Sequence, residues 1–198
     1  MTPLIHVVDD DPGFRDSLRS LLESDDLAVA TYTDAADFLA RYSPGQPGCL
    51  LLDVRMPGMS GLHLQDELLK RGIRLATIFI TAHGDVAMAV AAVRKGALDF
   101  VEKPFDDEAL IRRIRSALVS DAVEREAAQR LALLSAREIE VLERVVEGRQ
   151  NKVIAEELGI AVKTVEFHRK RIMHKLEART VADLIHLVVK HRLLDRRH

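Results

Sequence analysis

The sequence predicts an α/β doubly wound five-stranded parallel sheet, followed by an all-α four-helix unit that contains a helix-turn-helix. Three observations predict it. Short apolar runs alternate with longer stretches of helical period through residues 1–120. Acidic, hydroxyl and Lys side chains follow several of those runs, where a parallel sheet gathers its sites. Past Leu118 the alternation stops and only helical patterns remain.

The strand candidates are 4–8, 28–32, 49–52, 77–80 and 98–101, each an apolar run of four or five residues. The stretches 14–22, 34–41, 62–70, 86–95 and 107–118 carry apolar residues at i, i+3 and i+4 and read as helices. Five β–α units in order imply a parallel sheet with helices on both faces. Residues 120–132, Ala- and charge-rich without Gly or Pro, read as a helical linker. Ser135 and Glu138 then form a capping-box signature. Four helices fit the remainder, at 136–147, 152–158, 162–177 and 181–191. Gly148 and Gly159 punctuate the first two, and Thr180 offers an N-cap for the last.

With 198 residues, 47% of them hydrophobic and 30% charged, the chain can bury two small cores. Trp is absent and aromatics are 4%, so those cores must be mostly aliphatic. The single cysteine, Cys49, excludes an internal disulfide, suits a reducing cytoplasm and, inside an apolar strand, reads as core. No run of about 18 apolar residues occurs, so a membrane span and a membrane partner are not expected. Charge is uneven. Residues 1–120 carry 13 Lys+Arg against 18 Asp+Glu, whereas residues 161–198 carry 10 against 4, a net of +6. An acidic front and a basic tail imply two tasks, with a polyanion for the tail.

The first task is written at the strand ends. "HVVDDDP" places Asp9 and Asp10 where the first strand finishes, and Asp53 ends the third. Such carboxylates repel one another unless a cation sits among them. Oxygen donors without His or Cys favour Mg²⁺. "FITAHGD" puts the Thr81 hydroxyl at the fourth strand's tip, and "DFVEKPF" puts the Lys103 ammonium at the fifth, before a Pro whose peptide bond is a candidate for the cis isomer. Carboxylates, a hydroxyl, a Lys and Mg²⁺ make a phosphoryl-transfer site. A Gly-rich phosphate cradle is missing, so nucleotide binding is not supported. Asp9 and Asp10 are adjacent and suited to metal, which leaves Asp53 as the phosphoryl acceptor. His83 has no second His or Cys nearby and reads as a loop residue beside the pocket.

"VVDDDP", "LLLDVRMPGMSG", "FITAHGD" and "DFVEKPF" resemble, in order, the receiver domain of bacterial two-component response regulators, a flavodoxin/CheY-like fold. The resemblance covers residues 1–118. It implies phosphorylation of Asp53 by a cognate sensor histidine kinase, with Mg²⁺ held by Asp10, Asp53 and the Arg55 backbone carbonyl. Asp9 meets the metal through water in that pattern. It also implies that Lys103 pairs with the phosphoryl group, that Thr81 hydrogen-bonds to it, and that Thr81 and Phe100 form the switch. Ala82 stands where that pattern often has Gly; both are small.

The second task lies in "NKVIAEELGIAVKTVEFHRKRIMHKL", a helix, a tight turn and a longer basic helix. Its period turns Val165, His168, Ile172 and Leu176 inward. Lys163, Glu166, Phe167 and Lys170 turn outward, with Thr164 beside them, as a surface for base edges. Arg169, Arg171 and Lys175 suit phosphates. Residues 133–198 are similar to the LuxR/NarL/FixJ-type DNA-binding domain, although Ala161 and Val162 stand where Ser or Thr and Pro are common. The expected organisation is a receiver domain at 1–119, the linker at 120–132 and the DNA-binding domain at 133–198. The resemblances imply a cytoplasmic transcription regulator that dimerises on phosphorylation and binds promoter DNA, with RNA polymerase as a partner open to it. They imply no enzymatic turnover beyond phosphoryl uptake and slow acyl-phosphate hydrolysis. A small-molecule phosphotransferase would share the acids and Lys103 but have no use for the tail.

Overall fold

The computed structural model describes residues 2–82 and 86–195. His83 therefore lies outside the described residues. The first half alternates β1 (Leu4–Val8), α1 (Pro12–Ser24), β2 (Ala28–Tyr32), α2 (Ala35–Arg41), β3 (Gly48–Asp53), α3 (Gly61–Lys70), β4 (Ala76–Thr81), α4 (Val86–Arg94), β5 (Asp99–Glu102) and α5 (Asp107–Ala132). The strands form one sheet in the order β2-β1-β3-β4-β5, every neighbouring pair parallel. The order reverses between β1 and β3, which opens a crevice at their carboxyl ends.

The central strands are mostly apolar because both of their faces are covered. On one face Leu50, Leu52 and Phe79 pack with Phe38 of α2, Leu64 and Leu68 of α3 and Ala92 of α4. On the other, Ile5, Val7, Leu51, Ile78 and Ile80 pack with Leu18 and Leu22 of α1 and with Leu110, Ile114 and Ala117 of α5. Cys49 is fully buried in this second cluster, as its apolar run predicts.

Three of the boundaries that differ from the sequence pattern bear on the site and the linker. Asp53 and Thr81 are the last residues of β3 and β4 rather than the first of their loops, paired to Ile80 and Glu102 respectively. Ladder hydrogen bonds extend past the apolar run, so both side chains are held by sheet geometry. The helix expected at 107–118 and the linker at 120–132 form one 26-residue helix, α5, since nothing between them breaks it. Asp121 of that segment is buried. Its carboxylate accepts the Gly48 N–H at 3.1 Å, tying α5 to the start of β3.

The chain divides into two compact units between Val123 and Glu124. The second contains α6 (Ala136–Val146), α7 (Asn151–Leu158), α8 (Val162–Lys175) and α9 (Val181–Asp195). Leu134, Val141, Leu142, Ile154, Val165, Ile172, Leu176, Leu184 and Val188 form its core. The Ser135–Glu138 capping box is present in both directions. Gly159 closes α7 at φ 62°, the left-handed geometry that lets the chain turn sharply into α8. Thr180 accepts the Asp183 N–H at 3.1 Å, and Asp183 caps back onto the Thr180 N–H. Ala161 starts α8 with no side-chain cap. Among the described residues no helix is long and apolar enough to cross a membrane.

Candidate functional site

The acids of "DDDP" separate into three roles. Asp11 is the N-cap of α1, accepting the N–H groups of Gly13 and Phe14. Asp9 is buried, with Oδ1 accepting the Asp11 N–H at 2.9 Å and Oδ2 accepting the Lys103 ammonium at 2.7 Å. Asp10 is exposed. Asp53 enters from the next strand at 7% exposure. Its Oδ2 accepts the Arg55 N–H at 2.8 Å, and its Oδ1 lies 3.7 Å from Lys103 Nζ. Lys103 thus bridges the ends of β1 and β3 from the end of β5. Its own backbone N–H bonds the Thr81 carbonyl at 2.8 Å, and the Lys103–Pro104 bond is cis, as its position predicts.

The expected convergence of Asp9, Asp10 and Asp53 takes a looser form: Asp9 and Asp53 share Lys103, and Asp10 acts on Asp53 through its charge. Among the described residues no three His, Cys, Asp or Glu side chains are grouped to hold a metal ion. Lys103 engages Asp9, while Asp10 is exposed. Mg²⁺ retains waters and needs only one or two carboxylates, so the oxygen-only donors still suit it. The electrostatics agree. Burial and the Asp9 charge push the Asp53 carboxyl up to about 6, although Lys103 and the Arg55 N–H pull the other way, and Asp10 adds a smaller push. The rim carries more negative charge than one ammonium balances, and a bound cation would offset the remainder.

Thr81 is buried at the end of β4. Phe100 is half-buried, its ring 6.5 Å from Phe79 and packed on the cluster that includes Met88 and Ala92 of α4. Two contributors were not anticipated. The Phe14 ring lies 3.5 Å beneath Lys103 Nζ, a cation–π contact, and Arg15 donates to the Asp9 carbonyl at 2.6 Å. The signal available was their place in the first turn of α1, directly after the acidic run.

Gly61 starts α3 so close to β3 that an added Cβ would stand 2.1 Å from the Asp53 carbonyl oxygen. Gly61→Ala is therefore expected to cost about 1–3 kcal/mol in urea unfolding, as overpacking does. An unchanged midpoint would show that the loop gives way freely.

In the second unit the expected inward residues Val165, Ile172 and Leu176 are buried, and His168 is half-buried. Lys163, Glu166 and Lys170 are exposed, and Phe167 is 57% exposed with the Arg171 guanidinium 5.6 Å from its ring. Thr164 and Arg169 are half-buried. Lys175 departs from the expectation of a phosphate-facing side chain. It donates to Glu138 Oε2 at 2.6 Å and to the Leu133 carbonyl at 2.9 Å. Arg171 Nε stands 3.3 Å from Glu138 Oε1. A buried carboxylate in α6 attracts both, a pairing that helical period alone does not disclose.

Comparison with known proteins agrees with both halves. Residues 5–115 match the response regulator receiver domain family, and residues 132–188 match the bacterial regulatory proteins of the luxR family. The transcriptional regulatory protein FixJ of Azorhizobium caulinodans is 46% identical over 192 residues, 93% of this chain and 91% of its own. The solved structure of the response regulator StyR is 44% identical with a TM-score of 0.61, over 96% of this chain and all of that one. Full-length FixJ from B. japonicum is 38% identical with a TM-score of 0.56, over 98% of this chain and all of that one. A carboxylate pocket at the switch point of one unit and a helix-turn-helix in the other thus have a shared origin: the chain belongs to the two-component response regulators that join a receiver domain to a luxR-family DNA-binding domain.

Proposed function

We propose that Asp53 accepts a phosphoryl group from a sensor histidine kinase and that this event promotes receiver dimerisation and binding of promoter DNA in the cytoplasm. The observation that carries the reading is Lys103, whose ammonium stands between Asp9 and Asp53 at the carboxyl rim of the sheet. An Asp53 oxygen bonds to phosphorus as the P–N bond of phosphohistidine breaks, its electron pair remaining on the imidazole. Lys103 balances the charge that arrives. Asp10, Asp53 and the Arg55 carbonyl, with Asp9 through water, would hold Mg²⁺, which when bound neutralises phosphoryl oxygens. Asp9 keeps Lys103 aimed, and Phe14 covers it.

Thr81 and Phe100 then carry the change outward. Thr81 shares its strand end with the Lys103 backbone, and Phe100 packs on the cluster that reaches α4. A phosphoryl group that bonds Thr81 in one arrangement better than in another shifts the population toward the first. The proposed organisation is a receiver at 1–119, a helical linker at 120–132 and a DNA-binding domain at 133–198.

In that domain α8 enters the major groove. Lys163, Thr164, Glu166, Phe167 and Lys170 face base edges, and Arg169 reaches phosphate. Lys170→Ala should cost about 1–3 kcal/mol of operator affinity. The test is selection of bound duplexes from a random pool with and without beryllofluoride, followed by titration of the selected site. Tighter binding with the fluoride and a loss in the Lys170 variant support the reading. Equal affinities throughout would overturn it.

A further inference from the structure

We propose that Glu138 is a positioning residue for the DNA-facing helix: its carboxylate holds Lys175 and Arg171 against α6 and so withdraws both from the phosphate contacts of α8. This rests on the DNA-binding reading above and refines which charges perform it. Five cationic side chains lie on α8, at Lys163, Arg169, Lys170, Arg171 and Lys175. They do not all face outward. Glu138 is 1% exposed at the third position of α6, where its own carboxylate also accepts the Ser135 N–H at 2.8 Å. Oε2 takes the Lys175 ammonium at 2.6 Å, and Oε1 faces Arg171 Nε at 3.3 Å.

A carboxylate so deeply placed stays charged because hydrogen-bond donors come to it. Burial opposes the charge, but the bonds from Lys175 and Ser135 outweigh it and bring Glu138 down to about 2. The Glu138 carboxylate therefore holds its charge at neutral pH. Lys175 is further committed by its bond to the Leu133 carbonyl. The result is a clamp from α6 to the C-terminal half of α8. Lys163, Arg169 and Lys170 are left to carry the charge that meets DNA.

Phosphate contacts are counted by salt. Each neutralised phosphate contributes about −0.9 to the slope of log K against log salt for duplex DNA. A residue that only supports the fold would lower affinity or stability without steepening that slope. Glu138→Gln keeps a side chain that serves the capping box, yet removes the anion that holds both cations.

The experiment uses the full chain and a random-sequence DNA duplex, titrated between about 50 and 200 mM salt, with circular dichroism to confirm folding. Glu138→Gln should steepen the slope by about 0.9 for each cation that reaches a phosphate, up to about 1.8. The double variant Glu138→Gln/Lys175→Met should steepen it by about 0.9, through Arg171 alone. The double variant leaves no Lys unpaired in the buried site, so it decides the matter if the single variant does not fold. Slopes equal to that of the unchanged chain, in folded variants, would overturn the role given to Glu138. If the unchanged chain itself shows no salt-dependent binding, the DNA-binding reading fails.

Discussion

Asp53→Ala is expected to lose phosphoryl incorporation from acetyl phosphate and Mg²⁺, falling to background when intact mass is measured. The expectation follows from which carboxylate oxygen is disengaged. Both Asp9 oxygens are bonded, one to the Asp11 N–H and one to Lys103. Among the described residues Asp53 spends only Oδ2 on a hydrogen bond, to the Arg55 N–H. Its Oδ1 stands 3.7 Å from the ammonium, beyond hydrogen-bond length but close enough for strong attraction. That oxygen has a lone pair to give and a cation to stabilise what it receives. Asp10 is exposed, and the ammonium of Lys103 reaches Asp9 and Asp53 instead. The substitution also relieves repulsion between Asp53 and Asp9, so loss of label should not reflect loss of fold. Label that persisted at Asp9 or Asp10 would move the acceptor to β1 and undo the mechanism.

The rim of the sheet was legible because polar residues that interrupt apolar strands must face the crevice. Asp9, Asp53, Thr81 and Lys103 could be placed there from strand ends alone, and the structure sets them at those ends. What could not be read was how they share charge. Sequence pattern grouped Asp10 with Asp9, yet Asp9 is buried against Lys103 while Asp10 is exposed and reaches Asp53 only through its charge. Long-range pairings were equally hidden. Asp121 sits in a stretch that reads as a solvated linker but is buried against Gly48, 73 residues away. Glu138 reads as a capping residue, which it is, while its tie to Lys175 spans 37 residues. Period assigns a face to a side chain. It does not say which distant partner waits on that face.

The fold should also lose about 3 kcal/mol between pH 7 and pH 4 through one residue, His6. This side chain is 1% exposed in β1, within the rings of Tyr32, Phe38 and Tyr42. Nδ1 meets the Tyr32 hydroxyl at 2.9 Å, and Nε2 has no hydrogen-bond partner among the described residues. Burial lowers its pKa from 6.5 to about 4. The unfolded chain therefore takes up a proton near pH 6.5 that the folded chain refuses until about pH 4. Stability from this site is complete above the unfolded value and is lost as pH falls through that interval, with about 2 kcal/mol gone by pH 5. Urea unfolding of the unchanged chain and of His6→Phe, across that range, measures the effect. The variant loses the Tyr32 bond at every pH, so its absolute stability is not the readout. Its pH slope is, and that slope should be shallower by the His6 contribution. Parallel curves for the two proteins would mean that the folded chain protonates His6 as readily as the unfolded one, and that the aromatic enclosure admits a charge.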